Sequence, residues 1–162
     1  MHLSRAVLDG NPFMGEPTAA SPVVYLTEQP LTSFREALRR ADLLERDDFH
    51  VLPRLSALGL TWPEIVDEAA AKCAATGARL LIVDTLSPFA RLEGEAENSA
   101  GAAQAAIAPL LEVAHRDGLA VVVVRHSRKG GGEGGGVGAG QLRVRRRRRR
   151  AHLPAPPGRQ RS

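Results

Sequence analysis

The sequence predicts an α/β fold in which helices cover both faces of a doubly wound, mostly parallel sheet. Three aliphatic runs, at residues 23–27, 80–83 and 119–124, show no alternation of apolar and polar positions. Such runs are typical of strands that are buried on both faces. Segments with a helical spacing of apolar residues separate the runs, and this order of elements favours parallel strands joined by helices.

The N-terminal part of the chain is predicted to contain a helix, a strand, a second helix and a second strand. Residues 3–8 have a helical pattern, and the sequence Asp-Gly-Asn-Pro at 9–12 ends it. After the strand at 23–27, apolar residues with helical spacing predict a helix over residues 31–45. A short strand at 49–52 follows this helix.

A capping pattern marks the start of the next helix. Thr61 fits the N-cap, and Glu64 stands three residues later, where its carboxylate can accept a hydrogen bond from the N-cap backbone. Pro63 is tolerated in the first turn, where its missing N–H would have no helical partner. Gly77 fits the position just after the helix, which is therefore predicted to end at Thr76.

The last predicted helix begins after an acidic loop at residues 91–97. Either Asn98 or Ser99 can cap it, and it is predicted to run through Arg116. Pro109 is expected to kink it, because proline lacks the N–H that the helix would use. Its core-facing side is predicted from helical spacing to comprise Ile107, Leu110, Leu111 and Ala114.

The positive charge of the chain is confined to its C-terminal end. Residues 141–162 hold nine arginines and no acidic residue, so the formal net charge of +4 becomes −5 for residues 1–140. Residues 130–140 include eight glycines, which predicts a flexible loop. We therefore expect a folded domain over 1–129, a Gly-rich loop over 130–140 and a disordered basic tail over 141–162.

Composition argues against membrane and secreted proteins. The sequence has no run of the roughly 18 apolar residues that a membrane-spanning helix requires. Its start shows no signal-peptide pattern. The single cysteine, Cys73, lies in an Ala-rich helical segment and cannot form an internal disulfide. We expect a cytoplasmic protein without a membrane partner.

Polar residues follow three of the predicted strands, at the ends where parallel sheets bind ligands. Glu28 follows the first strand, Asp84 the third, and Arg125 with His126 the last. An aspartate after a buried strand is typical of the Walker B motif, whose carboxylate holds the magnesium of a bound nucleotide. The alternative is a strand-end carboxylate that caps the next helix or is solvated.

Several motifs occur in a fixed order along the chain. They are the strand with Glu28, the helix with Trp62, the strand followed by Asp84-Thr85-Leu86, the sequence Glu97-Asn98-Ser99, and His126 with the Ser-Arg-Lys-Gly-Gly after it. Together they resemble the RecA-like P-loop ATPase core and, within it, the RepA-like hexameric helicases of the AAA-family ATPases. The resemblance covers roughly residues 1–135.

This resemblance implies an ATP-hydrolysing site. In such proteins a Glu after the strand that follows the P-loop helix polarises the attacking water, and Glu28 matches that position. Asp84 matches the Walker B aspartate, which holds Mg²⁺ through water, and Thr85 is its neighbour at the bound nucleotide. ATP and Mg²⁺ are therefore the implied cofactors.

Three further residues acquire roles from the resemblance. His126 matches a polar residue that senses the γ-phosphate, whereas a surface histidine at the start of a loop is the alternative. Arg128 and Lys129 match a loop that faces nucleic acid or the neighbouring subunit, and solvated loop charges are the alternative. The implied partners are DNA and further copies of the chain in a hexameric ring, and the implied process is DNA replication.

The sequence departs from this family at both ends. It contains no G-x-x-x-x-G-K-[ST] motif, so we expect a chain truncated before the Walker A motif, whose amides and lysine hold the phosphates. Beyond about residue 136 the family pattern stops, and the six arginines of 145–150 follow. A shifted reading frame in GC-rich DNA is one explanation, and a basic arm for nucleic acid is the other.

Three functions compete on this evidence. The first is a fragment of a RepA-like, DNA-associated ATPase or helicase domain, impaired as it stands because the P-loop is absent. The second is a non-catalytic RecA-like assembly or binding module. The third is an arginine-tailed nucleic-acid-binding protein. ATP binding favours the first, and salt-sensitive DNA binding that requires residues 141–162 favours the third.

Overall fold

A four-stranded sheet forms the centre of the structure, a computed structural model that describes residues 1–97 and 99–125. The strands are β1 (Val23–Thr27), β2 (Phe49–Pro53), β3 (Leu80–Asp84) and β4 (Ala120–Val124). Their order is β2–β1–β3–β4, and every neighbouring pair is parallel. The prediction of an α/β fold with a parallel sheet is confirmed.

Five helices flank this sheet within the part of the chain that the structure describes. They are α1 (His2–Asp9), α2 (Leu31–Arg40), α3 (Trp62–Thr76), α4 (Leu86–Phe89) and α5 (Ala100–Asp117). Short 3₁₀ turns at Arg54–Ala57 and Gly94–Glu97 follow β2 and precede α5. Across the described ranges, no helix is both long and apolar enough to cross a bilayer.

The two central strands, β1 and β3, are mostly apolar and are buried along almost their whole length on both faces of the sheet. On one face the side chains of β1 and β3 pack against α3 and α5, and this core includes Val24, Leu26, Leu81 and Val83. On the other face they pack with residues of α1 and α2, and this core includes Val23, Tyr25, Leu80 and Ile82. The alternation of side chains along each strand therefore supplies two separate cores, as predicted for a doubly wound sheet.

The two ends of α3 are confirmed as predicted. The backbone N–H of Thr61 donates to the Glu64 carboxylate at 2.6 Å. Gly77 ends the helix with φ of +73°, a left-handed conformation that glycine adopts without a Cβ clash. For α5, Ser99 is the N-cap, and its hydroxyl accepts from the Ala102 N–H at 3.3 Å.

The prediction of a helix over residues 31–45 is wrong at its end, because α2 stops at Arg40. Asp42 has φ of +54°, which a helix does not permit. The chain then folds back, and Leu43 donates its N–H to Leu38 O at 2.9 Å. Leu43 is only 1% exposed, so its burial beneath α2 explains why the helix ends early.

The predicted core-facing side of α5 is correct for Leu110 and wrong for Ile107 and Leu111. The buried residues are Ala106, Leu110 and Val113, whereas Ile107 and Leu111 are 37% and 58% exposed. The helix packs against α3, and the Trp62 indole N–H donates to Ala106 O at 2.7 Å. This contact turns the side with Ala106 inwards, which the Ala-rich composition of the helix does not reveal.

Three predictions cannot be compared with the structure. The Gly-rich loop at 130–140, the basic tail at 141–162 and the alternative cap Asn98 lie outside the described residues.

Candidate functional site

The carboxyl ends of β1 and β3 lie side by side at the centre of the sheet. Thr27 is paired with Asp84 in the register of these strands. One residue further on, the Glu28 N–H donates to the Asp84 carbonyl oxygen at 3.1 Å. The sheet therefore brings the backbones of Glu28 and Asp84 together at one edge, although 56 positions separate them in the printed sequence.

A side-chain contact also joins the two strand ends. The Thr85 hydroxyl donates to Oε1 of Glu28 at 3.0 Å. Thr85 is 4% exposed, whereas Glu28 is exposed. The acidic side chain is thus held at the surface by a buried neighbour. The peptide bond between Asp84 and Thr85 is cis.

Tyr25 contacts the other carboxylate from inside the core. Its phenol donates to Oδ2 of Asp84 at 2.5 Å. Tyr25 is 4% exposed and packs against the rings of Phe34 and Phe49. Burial raises the pKa of the Tyr25 phenol well above its ordinary value, and the hydrogen bond and negative charge of Asp84 raise it further. Tyr25 therefore stays a neutral donor.

These contacts hydrogen-bond one oxygen of each carboxylate, Oδ2 of Asp84 and Oε1 of Glu28. The other two oxygens, Oδ1 of Asp84 and Oε2 of Glu28, are the ones that a metal ion or a bound water would use. Hard oxygen ligands of this kind suit Mg²⁺, which proteins usually bind through one or two carboxylates together with substrate phosphates. The donor set therefore fits a magnesium ion that a nucleotide helps to hold.

The described residues do not form a complete metal site by themselves. No group of three or more His, Cys, Asp or Glu side chains within residues 1–97 and 99–125 is arranged to hold a metal ion. Any Mg²⁺ at Asp84 would therefore need ligands beyond the described carboxylates, and water and substrate phosphates are the ones that Mg²⁺ commonly keeps.

The backbone after Glu28 is fixed by a buried hydroxyl. Thr27 is fully buried, and its Oγ1 accepts from the Gln29 N–H at 3.1 Å. A cavity of about 170 Å³ opens beside this turn, and both Glu28 and Arg54 line it. Arg54 follows β2, so the carboxyl edge carries a cation as well as the two carboxylates.

The structure places the predicted site residues as follows. Glu28, Asp84 and Thr85 lie together at the carboxyl edge. His126, Arg128 and Lys129 lie outside the described residues, so their roles stay predictions. The catalytic and magnesium-binding roles of the first three also stay predictions.

Sequence reasoning missed Tyr25. The available signal was its position two residues before Thr27, on the same side of a strand that was predicted to end in a functional residue. That signal becomes useful only when β1 is known to lie beside β3.

The parallel sheet with carboxylates at adjacent strand ends, taken with the family match given next, supports a P-loop ATPase-like domain. The comparison with protein families agrees, because residues 1–132 of the 162 match the family described as an AAA domain. The chain therefore belongs to the AAA domain family. No curated protein and no solved structure matches the chain.

Proposed function

We propose that Glu28, Asp84 and Thr85 belong to the ATP-hydrolysing site of a DNA-associated motor of the RepA-like helicase type. The observation that carries this proposal is the Glu28 N–H to Asp84 carbonyl hydrogen bond at 3.1 Å, which fixes the two acidic residues side by side. Two carboxylates at the central carboxyl edge of a parallel sheet suit phosphate transfer, in which one binds the metal and the other handles water.

The roles of the two carboxylates follow from their surroundings. Asp84 is half-buried and has its Oδ2 held by Tyr25, which leaves Oδ1 for a magnesium-bound water. Glu28 is exposed, and its Oε2 is the oxygen that accepts a hydrogen bond from the attacking water. Mg²⁺, when bound with ATP, would neutralise the charge that develops on the phosphate oxygens.

A phosphate-holding loop is needed to complete such a site. The 162 residues contain no G-x-x-x-x-G-K-[ST] motif, and the backbone amides of that loop normally hold the β- and γ-phosphates. We therefore propose that the chain as printed binds Mg-ATP weakly and turns it over far more slowly than a complete domain.

Two measurements test the proposal. The coding DNA around codons 1–162 should be translated in all three frames, and a Walker A motif in the same gene would support the proposal. The gene product that includes the Walker A motif should then release phosphate from Mg-ATP. Glu28→Gln should slow release by about 10²–10⁴-fold, the usual contribution of a positioned acid or base.

Matched controls separate catalysis from surface charge. Glu45→Gln and Asp47→Asn remove one exposed carboxylate each, away from the carboxyl edge, and should leave the rate unchanged. Asp84→Asn should weaken the dependence of the rate on Mg²⁺. Turnover that survives in both Glu28→Gln and Asp84→Asn would contradict the proposal.

One observation favours a different function for the C-terminal end. Nine arginines within residues 141–162 can neutralise nucleic-acid phosphates without any contribution from the folded domain. DNA binding that falls steeply with salt and disappears on deleting 141–162 would support an arginine-tailed binding protein. Salt-resistant binding, or a hexamer that forms only with ATP, would support the motor.

A further inference from the structure

We propose that Thr85 is a positioning residue, whose hydroxyl fixes Oε1 of Glu28 so that Oε2 is the oxygen presented at the carboxyl edge. This inference rests on the proposed function of Glu28, and it replaces the expected contact of Thr85 with the nucleotide. The evidence is the 3.0 Å hydrogen bond from Thr85 Oγ1 to Glu28 Oε1.

The local structure shows that this hydroxyl does not perform its usual task. Thr85 is the N-cap of α4, where a threonine hydroxyl normally accepts from a backbone N–H of the first turn. Ser99 does so at the start of α5. Thr85 makes no such side-chain contact, and its hydroxyl donates across to the end of β1.

Thr85 is also a rigid support. It is 4% exposed, and the next residue, Leu86, which begins α4, is 2% exposed and belongs to the core. A β-branched side chain has little freedom at χ1, so the hydroxyl direction is set by the core. Glu28, in contrast, is exposed, and an unsupported glutamate would sample several rotamers.

Two links together define where the carboxylate lies. The Glu28 N–H is bonded to the Asp84 carbonyl, and the Glu28 carboxylate is bonded to Thr85. The backbone N–H and the carboxylate of Glu28 are therefore both hydrogen-bonded to the dipeptide Asp84-Thr85, whose first residue ends β3. A fixed geometry of this kind is what a group that orients a water molecule requires.

The test compares two substitutions in the full 162-residue chain. Thr85→Val removes the hydroxyl and keeps the branched shape, whereas Thr85→Ser keeps the hydroxyl. The readout is NMR of the Glu28 side chain, through the position and relaxation of its carboxyl carbon resonance. We expect Glu28 to become mobile in Thr85→Val and to stay ordered in Thr85→Ser.

A control and a rate measurement complete the design. Thr76→Val removes a hydroxyl that donates to Lys72 O, far along the chain from Glu28, and should leave the Glu28 signal unchanged. In the ATP-hydrolysing gene product, Thr85→Val should lower kcat about tenfold with KM unchanged, and Thr85→Ser should retain the wild-type kcat.

The two proposals fail in different ways. A Glu28 carboxylate that is mobile in the wild type, or equally ordered in Thr85→Val, overturns the positioning role. If no variant hydrolyses ATP while the NMR difference between Thr85→Val and Thr85→Ser is present, the positioning role stands and the proposed ATPase function fails.

Discussion

The Tyr25 phenol reaches from the buried core to the carboxyl edge and donates to Oδ2 of Asp84 at 2.5 Å. The two residues lie on adjacent strands, since Tyr25 is paired with Ile82 and Thr27 with Asp84. Their side chains therefore project on the same face of the sheet. This contact ties the orientation of the candidate magnesium ligand to the packing of Phe34 and Phe49 around the tyrosine ring.

The alkaline titration of the chain reports on this contact directly, because Tyr25 is its single tyrosine. The folded protein should show no phenolate absorbance at a pH where an ordinary tyrosine, with a pKa of about 10, is half ionised. Burial and Asp84 raise the pKa of Tyr25 in the folded protein. The Tyr25–Asp84 contact therefore contributes fully to stability below the pKa that tyrosine has in the unfolded chain. This contribution is lost as the pH rises from that value through the raised pKa of the folded protein. Titration at the ordinary pKa in the folded state would contradict the contact.

A double-mutant cycle measures the energy of the same hydrogen bond. Tyr25→Phe, Asp84→Ala and the double variant should show a coupling of about 1.5–3 kcal/mol, the usual range for a hydrogen bond to a charged group. Urea unfolding followed by the fluorescence of the single tryptophan, Trp62, gives the free energies. Additive effects would mean that the two side chains do not interact in solution.

Trp62 provides a second test of the packing between helices. Trp62→Phe removes the indole N–H that donates to Ala106 O at 2.7 Å and weakens the contact with the Phe89 ring. We expect the free energy of unfolding to fall by about 1–3 kcal/mol, because the Ala106 carbonyl loses its side-chain donor and the smaller ring makes fewer apolar contacts. Thermal unfolding by circular dichroism measures this. An unchanged melting temperature would show that α3 and α5 do not depend on the indole.

Arg46 joins the segment before β2 to the end of α1. Its guanidinium donates to both oxygens of Asp48 and, through a third N–H, to Asp9 at 2.6 Å. Arg46→Lys should destabilise the fold by about 0.5–1 kcal/mol, because lysine cannot donate in this two-pronged geometry and the groups are partly solvated. Arg40→Lys, in an exposed pair with Glu36, is the control and should change nothing measurable.

The destabilisation expected for Arg46→Lys should depend on pH in one direction. The hydrogen bonds from Arg46 hold the pKa of Asp48 below its ordinary value. The contribution of the Arg46–Asp48 pair to stability is therefore complete above the ordinary aspartate pKa of about 3.9, and it is lost as the pH falls below that value. The stability difference between wild type and Arg46→Lys should shrink in that acidic range. A difference that grows towards low pH would contradict this assignment.

The sequence predicts the fold and the two strand-end carboxylates of the candidate site because both depend on local patterns. Glu28 and Asp84 are recognisable since each follows an aliphatic run, and the capping residues of α3 are recognisable from their spacing. The contacts of Tyr25 and Thr85 are not recognisable, because they depend on β1 and β3 being neighbours in the sheet. Strand order is a property of the whole fold, and local periodicity leaves it open.

The errors in α2 and α5 have the same cause. The early end of α2 depends on Leu43 finding space in the core after the turn at Asp42. The inward side of α5 depends on which helix it meets, since alanines surround its larger apolar residues. Tertiary packing decided both, and it outweighed the intrinsic preferences of the segments.

The strand order predicts which strands unfold locally and which exchange amide protons only through global unfolding. β1 and β3 each pair with a strand on both sides, whereas β2 and β4 each pair with one strand among the described residues. Amide protons on the central strands should therefore exchange with solvent at the slowest rates, those of global unfolding, while amides of β2 exchange through smaller openings. Because Glu28 and Asp84 emerge from the two central strands, fraying at the sheet margins should leave the spacing of the carboxylates intact.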